Sequence, residues 1–359
     1  MRAVVLVGGE GTRLRPLTLD VPKQMLAVVE QRMIERVLAK LAAHGVKEAV
    51  LSLGYRPDAF ATAFPEGQAC GVNLVYAVDP EPLDTAGAIR FAATQAGISE
   101  TFLVVNGDVL TDFDLGKLFD LHRDREAGAT IHLTPVVDPS AYGVVPTAAD
   151  GRVLDFVEKP APGSAPTNLI NAGAYVMEPE ILDAIPAGRR VSVERETFPS
   201  LVSQGRLFGL ASGDYWIDAG TPATYLRACL DLVGGVRPGA PAPGARLAAA
   251  EGPWLVGSPV LEGRVEPGSL VADAAYVAKG AKVSRSVVET GARVEEGAMV
   301  AGSVLLAGAV VAARSVVDGS IVGEGAWIGP DTTIGAGSVV GHRVKIEAGS
   351  MVQGERVPA

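Results

Sequence analysis

A six-residue repeat in the last third of the chain is the feature that most restricts what this sequence can form. Glycine, alanine and serine are common between the repeated aliphatic residues. Those residues are Val265, Val271, Val277, Val283, Val310, Val316, Val322, Ile328, Ile334, Val340, Ile346 and Val352. This pattern predicts a parallel β-helix whose stacked coils turn apolar rows inward, and its regularity argues against a disordered Gly/Ala-rich tail. The interval from Val283 to Val310 is not a multiple of six, so we expect the repeat to slip there.

The chain up to about residue 233 has a different pattern, in which short apolar runs alternate with helical stretches. The runs "AVVLV", "EAVLSLG" and "FLVVNGD" predict buried strands, and "MIERVLAKLAAHGV" has the 3.6-residue period of an amphipathic helix that ends at Gly45. Strand, helix and strand in succession predict a Rossmann-like α/β domain with a mainly parallel sheet. Ligands of such sheets bind beyond the carboxyl ends of the strands.

The stretch between the two patterns is rich in proline, glycine and alanine and has no apolar period. We interpret it as a linker. The predicted organisation is therefore an α/β domain at residues 1–233, a linker at residues 234–254 and a β-helix at residues 255–359.

The charge of the chain limits the partners that it can have. The 359 residues carry a formal net charge of −10, and no dense block of lysine and arginine occurs. This argues against a nucleic acid or an anionic membrane bound over a broad surface. Cys70 and Cys229 are too few for a disulfide framework, and the N-terminus shows no leader pattern. We therefore expect a cytoplasmic protein.

A glycine-rich turn follows the first predicted strand. Gly8, Gly9 and Gly11 allow backbone N–H groups to approach phosphate oxygens. Arg13 and Lys23 flank a proline-containing stretch and can grip a triphosphate from two sides. The nearby Arg15 we interpret as a solvated surface arginine.

Two aspartates follow apolar runs in the α/β domain. Asp108 comes directly after a predicted buried strand, and Asp218 lies in an aromatic-flanked turn. Two carboxylates over a phosphate suit Mg²⁺, although each aspartate alone is more typical of a turn or a helix cap. Glu158 and Lys159 precede a proline and offer a carboxylate for sugar hydroxyls and an ammonium for a phosphate, with a surface ion pair as the alternative.

Ordered motifs along the chain carry a family resemblance. They are "LVGGEGTRLRPLT" followed by "PK", "EPLDTAGAI", "NGD", "AYGVV", "VEKP", "NAGAYV", "SVERETFP" and "YWIDAGTP". The chain resembles the sugar-1-phosphate nucleotidylyltransferases, and most of all the mannose-1-phosphate guanylyltransferases that carry a C-terminal left-handed β-helix. The resemblance implies Mg²⁺-dependent transfer of a nucleotidyl group from an NTP to a hexose 1-phosphate, giving an NDP-sugar and pyrophosphate. GTP and mannose 1-phosphate, which give GDP-mannose, are the expected pair. The alternatives are a glucose 1-phosphate enzyme that uses dTTP, UTP or ATP, and a non-catalytic regulatory subunit that senses sugar nucleotides.

The resemblance also implies a role for each matching residue. The nucleotide would be lined by Leu6, Gly8, Gly9, Gly11 and Thr12, with Gly87 facing the base and Asn106 near the nucleotide sugar. Arg13 and Lys23 would bind the nucleotide phosphates, and Lys159 the phosphate of the sugar, so that these three cations are the catalytic residues. The hexose would be contacted by Gly143, Glu158 and Asn171. Asp108 and Asp218 would hold Mg²⁺.

The sequence departs from the family pattern at three places. Asp84 replaces a glycine of "LGTAG", Gln24 replaces a proline of "PKPM", and "VEQRM" stands where a Gly-Lys-Pro turn is common. Asp84 can accept hydrogen bonds from a guanine or cap the following helix, and we favour the cap.

The predicted β-helix also suggests self-association. The apolar surface of its end coil and flat faces would be buried by a neighbouring subunit, which predicts a homo-oligomer. We expect a chain cut after Val233 to bind nucleotide still.

Overall fold

The computed structural model describes residues 1–54 and 56–358, and the chain divides into two compact units. The first, called here the α/β unit, contains Met1–Gly9 and Ile34–Ile217. The second, called the β-helix unit, contains Glu10–Met33 and Asp218–Ala359. The segment Glu10–Met33, which begins within the glycine-rich turn, is thus grouped with the β-helix. Nothing in the sequence pattern predicts this grouping.

The α/β unit is built on one large sheet. Its strands, together with the small strands beside them, are β1 (Arg2–Leu6), β2 (Glu48–Leu53), β3 (Gln68–Ala69), β4 (Val72–Val78), β5 (Phe102–Asn106), β6 (Val109–Thr111), β7 (Ala129–Pro135), β8 (Gly143–Val144), β9 (Val157–Glu158), β10 (Leu169–Met177), β11 (Leu207–Ala211) and β12 (Trp216–Asp218). The main order is β11-β7-β10-β5-β1-β2-β4-β3. β6 and β12 form a separate two-stranded sheet.

The predicted mainly parallel sheet is confirmed, and antiparallel strands join it at β10, at the edge strand β3 and at the small strands β8 and β9. β5, β1, β2 and β4 run parallel, as do β11 and β7, whereas β10 is antiparallel to both of its neighbours. The central parallel strands β1, β2 and β5 are buried on both faces, as their continuous Val/Leu/Ala runs require, whereas β4 has exposed positions. The antiparallel β10 is not predicted because its apolar run has the same composition as that of a parallel strand.

Helices lie between the strands. They are α1 (Met33–Ala43), α2 (Pro57–Ala63), α3 (Asp84–Gln95), α4 (Leu115–Asp124), α5 (Ile181–Ala184), α6 (Phe198–Ser203) and α7 (Pro222–Val233), with 3-10 turns at Thr12–Leu14 and Lys23–Met25 and a π-helical turn at Val193–Thr197. The predicted helix after the first strand is α1, and Gly45 follows its end with φ +81°. No helix in the described parts of the chain is long and apolar enough to cross a membrane.

The predicted parallel β-helix is confirmed in the β-helix unit. Its strands are β13 (Arg246–Leu247), β14 (Trp254–Leu255), β15 (Val260–Leu261), β16 (Arg264–Val265), β17 (Leu270–Val271), β18 (Tyr276–Val277), β19 (Lys282–Ser284), β20 (Val287–Val288), β21 (Arg293–Val294), β22 (Met299–Ala301), β23 (Val304–Leu305), β24 (Val310–Val311), β25 (Val316–Asp318), β26 (Ile321–Val322), β27 (Trp327–Ile328), β28 (Thr333–Gly335), β29 (Val339–Val340), β30 (Lys345–Ile346), β31 (Met351–Gln353) and β32 (Arg356–Val357). From β14 onward, successive strands enter three parallel sheets in rotation. Each coil therefore has three sides.

The phase of the repeat is wrong at two predicted positions. Val310 and Val316 are only partly buried, whereas Val311 and Val317 lie in the apolar core of the coils. The inward residues Val283 and Val288 are five positions apart. The slip therefore arises from shortened corners of the coils.

Buried serines explain how the shortened corners satisfy their backbone. Ser286, Ser303 and Ser320 stack 17 residues apart and are fully buried. The N–H of Ser303 donates to Ser286 Oγ at 3.1 Å, and the N–H of Ser320 donates to Ser303 Oγ at 3.0 Å. Because each hydroxyl also donates to a backbone carbonyl, the corner leaves few backbone groups unpaired.

Candidate functional site

The glycine-rich turn begins at the carboxyl edge of the parallel sheet. Leu6 ends β1 and pairs in register with Asn106 at the end of β5. The N–H of Gly107 donates to Leu6 O at 3.0 Å, which places the "NGD" motif beside the start of the turn. A Cβ on Gly8 would lie 3.6 Å from the backbone N of Gly54. The loops that follow β1 and β5 therefore start at the same edge of the sheet.

Asp108 follows this edge directly. Its side chain is mostly buried, with 8% of the residue exposed. The residue lies between β5 and β6, and β6 pairs with β12, the strand that ends at Asp218. A buried carboxylate at the carboxyl end of a parallel strand has the position at which α/β proteins bind ligands.

A bulge in β10 shapes the neighbouring surface. Gly173 has φ +77°, and a Cβ there would lie 2.5 Å from Asn106 Nδ2. Only glycine fits this position, because the left-handed backbone and the close amide both exclude a side chain. Asn171 stabilises the bulge: its Oδ1 accepts from Gly173 N at 3.0 Å, and its Nδ2 donates to the hydroxyl of Tyr175 at 2.9 Å. Asn171 therefore has a structural use besides its predicted contact with the hexose.

Trp216 also binds this bulge, and it is a residue that the motifs alone do not mark as part of the site. Its indole Nε1 donates to Ala172 O at 2.9 Å, and its ring lies edge-on to Tyr142 with centroids 5.9 Å apart. The signals for it were present, since Trp216 belongs to "YWIDAGTP" and Tyr142 to "AYGVV". The pair forms an aromatic wall beside Gly143.

The β8–β9 hairpin carries the residues predicted to contact the sugar phosphate. Gly143 pairs with Glu158, and a Cβ on Gly143 would lie 2.7 Å from the ring of Phe156. Lys159 has φ +49°, and its N–H donates to Tyr142 O at 3.0 Å. Its Nζ lies 3.5 Å from Glu158 Oε1, and 61% of its side chain is exposed. A strained backbone at an exposed lysine is typical of a residue held for binding.

The start of α3 shows what Asp84 and Gly87 do. Asp84 has φ +60°, which explains why the family commonly has glycine at this position. Its Oδ1 accepts from Thr85 N at 2.8 Å, whereas Leu83 is the N-cap residue. The favoured role of Asp84 as the N-cap is therefore wrong. Gly87 is buried, and a Cβ there would lie 2.9 Å from the carbonyl oxygen of Arg189.

The β-helix unit holds the other predicted phosphate and metal residues. Arg13 Nη2 lies 3.8 Å from Asp218 Oδ2. The other oxygen of Asp218 accepts from Gly220 N at 2.8 Å. A Cβ on Gly220 would lie 2.7 Å from Asp218 Oδ1 and 2.8 Å from Arg13 Nη2, so glycine is required to leave room for both side chains.

Thr12 and Lys23 begin the two 3-10 turns of the segment Glu10–Met33. Gly11, which caps the first turn, has φ +64°, and a Cβ there would lie only 3.2 Å from Lys23 Cβ, so the two turns lie against each other. The Oγ1 of Thr18 donates to Gly11 O at 2.7 Å. Thr12 and Lys23 are therefore held on one compact loop.

Gln24 and Arg15, in the same segment, differ in burial. Gln24 is 1% exposed, and its Oε1 has no hydrogen-bond partner in the described structure. The family proline at this position would avoid the cost of that buried oxygen. Arg15 is exposed and lies 3.4 Å from Glu10, consistent with a surface arginine.

The donor atoms fit a metal that arrives with a phosphate. No group of three or more His, Cys, Asp or Glu residues in the described part of the chain forms a cluster able to hold a metal ion. Mg²⁺ keeps several waters and takes one or two carboxylates together with phosphate oxygens, so it does not need such a cluster. Asp108 and Asp218 are carboxylates of this kind.

Comparison with known proteins gives the family. Residues 2–233 match the nucleotidyl transferase family, and residues 265–359 match the GMPPB C-terminal domain. The chain belongs to the nucleotidyl transferase family. The predicted family resemblance is thereby confirmed.

Curated relatives of this nucleotidyl transferase include mannose-1-phosphate guanylyltransferase of Mycobacterium tuberculosis, 44% identical over 238 residues, which are 66% of this chain and 66% of the relative. Mannose-1-phosphate guanyltransferase of Yarrowia lipolytica is 39% identical over 236 residues, 65% of this chain and 64% of the relative. The matches thus span just under two thirds of the relatives' length.

Solved structures also resemble this nucleotidyl transferase. HddC from Yersinia pseudotuberculosis is 29% identical with a TM-score of 0.56, over 64% of this chain and 97% of that chain. A second structure of HddC, complexed with GMP-PN, has a TM-score of 0.55 at the same identity and the same shares of both chains. The similarity covers nearly all of HddC.

Proposed function

We propose that this protein transfers a guanylyl group from GTP to mannose 1-phosphate, giving GDP-mannose and pyrophosphate. The observation that carries the proposal is the pair formed by Arg13 and Asp218, a cation and a carboxylate 3.8 Å apart beside a glycine that leaves space for both. Such a pair suits a metal-bound phosphate, because the guanidinium binds phosphate oxygens and the carboxylate binds Mg²⁺. The names of the curated relatives support the choice of GTP and mannose 1-phosphate.

Each predicted site residue has a role in this proposal. The nucleotide lies against the glycine-rich turn and its surroundings, formed by Leu6, Gly8, Gly9, Gly11, Thr12, Gly87 and Asn106. Arg13 and Lys23 bind the nucleotide phosphates, and Asp108 and Asp218 are the carboxylates for Mg²⁺. The sugar phosphate lies against the β8–β9 hairpin and β10, where Gly143, Glu158 and Asn171 contact the hexose and Lys159 its phosphate.

The chemistry needs no activated side chain. A phosphate oxygen of mannose 1-phosphate is already ionised at neutral pH and attacks the α-phosphorus of GTP in line with the departing pyrophosphate. The P–O bond to the β-phosphate breaks, and its electron pair leaves with pyrophosphate. When bound, Mg²⁺ neutralises charge on the phosphates. The cations Arg13, Lys23 and Lys159 bind the phosphate oxygens and so hold the two like-charged reactants together.

Measurement of pyrophosphate release tests the proposal. The assay uses the full chain with Mg²⁺, four NTPs and several hexose 1-phosphates in every combination. We expect GTP with mannose 1-phosphate to give the highest kcat/KM. A preference for glucose 1-phosphate with dTTP, UTP or ATP would favour the other enzymes of the superfamily. Binding of GDP-mannose without turnover of any pair would favour a regulatory subunit.

We also propose that the protein is a homo-oligomer that acts in the cytoplasm. The flat three-sided coils support self-association, and the two free cysteines are in keeping with a reducing compartment. Light scattering at micromolar concentration tests the first point, because a monomer there would contradict it.

A further inference from the structure

Hydrogen bonds join the segment Glu10–Met33 to other parts of the β-helix unit, and three of the described attachments lie beyond Arg13 in the segment. His342 Nδ1 accepts from Glu324 N at 2.9 Å, which leaves Nε2 protonated to donate to Leu17 O, also at 2.9 Å. The hydroxyl of Tyr225, on α7, donates to Ala27 O. Glu30 makes the third attachment. The segment that carries Arg13 and Lys23 thus takes its shape from residues far away in the sequence.

The third attachment lies at a strained turn. Residues 28–31 form a tight turn closed by a hydrogen bond from Val28 N to Gln31 O at 2.8 Å. Val29 and Glu30 at its tip have φ values of +57° and +62°. A β-branched residue in the left-handed region is a genuine outlier, and such strain persists only where surrounding contacts enforce it. Burial holds Val29 in this conformation, since its side chain is fully buried. The hydrogen bonds of Glu30 hold the second residue of the tip.

Two residues of one β-helix coil bind Glu30, one through its carboxylate and the other through its backbone N–H. The carboxylate of Glu30 accepts from the N–H of Thr290 at 2.8 Å and from its Oγ1 at 2.5 Å. In return, the N–H of Glu30 donates to Glu289 Oε1 at 3.3 Å. Glu289 is 2% exposed, and burial this complete is rare for a glutamate. The reciprocal arrangement fixes both the backbone and the side chain of Glu30.

We propose that Glu289 and Thr290 are positioning residues for the nucleotide phosphates, acting through Glu30 on the segment that carries Arg13 and Lys23. The inference rests on the proposed function, in which those two cations bind the phosphates. Neither Glu289 nor Thr290 touches the reactants. Their effect is to keep the segment in the one conformation that places Arg13 beside Asp218.

The charge of Glu289 makes this attachment dependent on pH. Burial, together with the nearby Glu30 carboxylate, raises the pKa of Glu289 to about 8, against the opposing N–H groups of Glu30 and Ala307. Glu324 raises this pKa further, and Tyr225 also faces the group. Glu289 is therefore neutral at pH 7. Its stabilising contribution is complete below its ordinary pKa of 4.5 and is lost as pH rises through about 8, where two carboxylates repel.

The test uses the full chain and two readouts. Hydrogen exchange of residues 10–33 reports on the segment whether or not the enzyme turns over, and the KM for GTP is measured from pH 6.5 to 9. Thr290→Val should raise exchange in the segment and raise the KM for GTP by about tenfold, because a hydrogen bond to a charged group is lost. Glu30→Gln is the second variant, and the exposed Glu347→Gln is the matched control on the β-helix.

Glu289→Gln tests the negative charge of Glu289 separately from its hydrogen bond to Glu30 N. Glutamine keeps the oxygen that accepts from Glu30 N but stays neutral, so its KM should match that of the wild type at pH 7. The rise in KM that we expect for the wild type between pH 7 and 9 should be absent. Unchanged exchange and KM in both Thr290→Val and Glu30→Gln, or the same pH dependence with and without Glu289, would overturn the inference. A wild type without guanylyl transfer would refute the proposed function, while the exchange data would still decide on the attachment.

Discussion

Arg13 and Asp218 lie 3.8 Å apart, and Gly220 provides the space in which both side chains meet. Each group neutralises the other before a nucleotide is present, which lowers the cost of holding them close together. In the proposed reaction, phosphate oxygens replace the carboxylate as the partner of Arg13. Asp218 is then available for Mg²⁺. In the proposed function the pair is therefore a preorganised binding arrangement, and a surface ion pair of this kind adds little stability.

The two aspartates proposed to bind Mg²⁺ give the first prediction. Asp108→Asn and Asp218→Asn should each lower kcat by about a hundredfold or more, since each removes one preorganised charge from the transition state. Steady-state kinetics with GTP and mannose 1-phosphate at saturating Mg²⁺ provide the measurement. Asp120→Asn, on the exposed face of α4, is the matched control and should leave kcat unchanged. Near-wild-type turnover in both site variants would refute the assignment.

Lys159 gives the second prediction. Lys159→Ala should raise the KM for the sugar phosphate by about tenfold or more and leave the KM for GTP nearly unchanged, because a phosphate loses its charged partner. The exposed Lys117→Ala on α4 serves as the control. If neither kcat nor the KM for the sugar phosphate changes, the lysine is only the surface partner of Glu158.

Asp84 gives a prediction about stability. At φ +60° an aspartate is strained, whereas glycine adopts this conformation freely. Asp84→Gly should therefore be neutral or stabilising by up to about 1 kcal/mol, despite the loss of its hydrogen bond to Thr85 N. Asp84→Ala loses the same hydrogen bond but keeps the strain, so it should be less stable than Asp84→Gly. Urea denaturation of the three proteins measures the difference, and equal stability of the two variants would contradict the argument.

The fold was predictable where one local period decided it. The six-residue repeat predicts the β-helix, and the valine- and leucine-rich runs predict the parallel strands. The antiparallel β10 was not predictable, because a buried strand has no directional pattern of its own. The positions of Val310 and Val316 were wrong because the serine-lined corners remove single residues, which a strict period cannot register.

The site was predictable only where residues follow a motif. The order of the motifs identifies the glycine-rich turn, the "NGD" aspartate and the "VEKP" hairpin. The attachment of Glu30 to Thr290 was not predictable, since 260 residues separate the two partners. For the same reason, the expectation that a chain cut after Val233 binds nucleotide conflicts with our inference. Such a chain lacks Thr290 and His342, and we expect it to bind GTP more weakly.

His132 gives the last prediction, which concerns acid stability. This residue is 1% exposed on β7, stacks on Phe113 at 3.8 Å, and neither ring nitrogen has a hydrogen-bond partner in the described structure. Burial lowers the pKa of His132 to about 4, with Lys40 adding to the effect and Asp214 opposing it. At a pH between this value and the ordinary pKa of 6.5, His132 therefore binds a proton in the unfolded chain but not in the folded chain. Stability is lost as pH falls from about 6.5 to about 4.

His132→Leu removes both the unpaired nitrogens and this acid sensitivity. At pH 7.5 we expect the variant to be about as stable as the wild type or more so, by roughly 1 kcal/mol. Below pH 6.5 the free energy of unfolding of the variant should exceed that of the wild type by about 1.4 kcal/mol more for each pH unit. Urea denaturation at pH 7.5, 6 and 5 measures this. The other buried histidine, His122, has partners on both ring nitrogens and is present in both proteins, so the difference isolates His132. A constant difference across the three pH values would show that His132 is not the group that resists protonation.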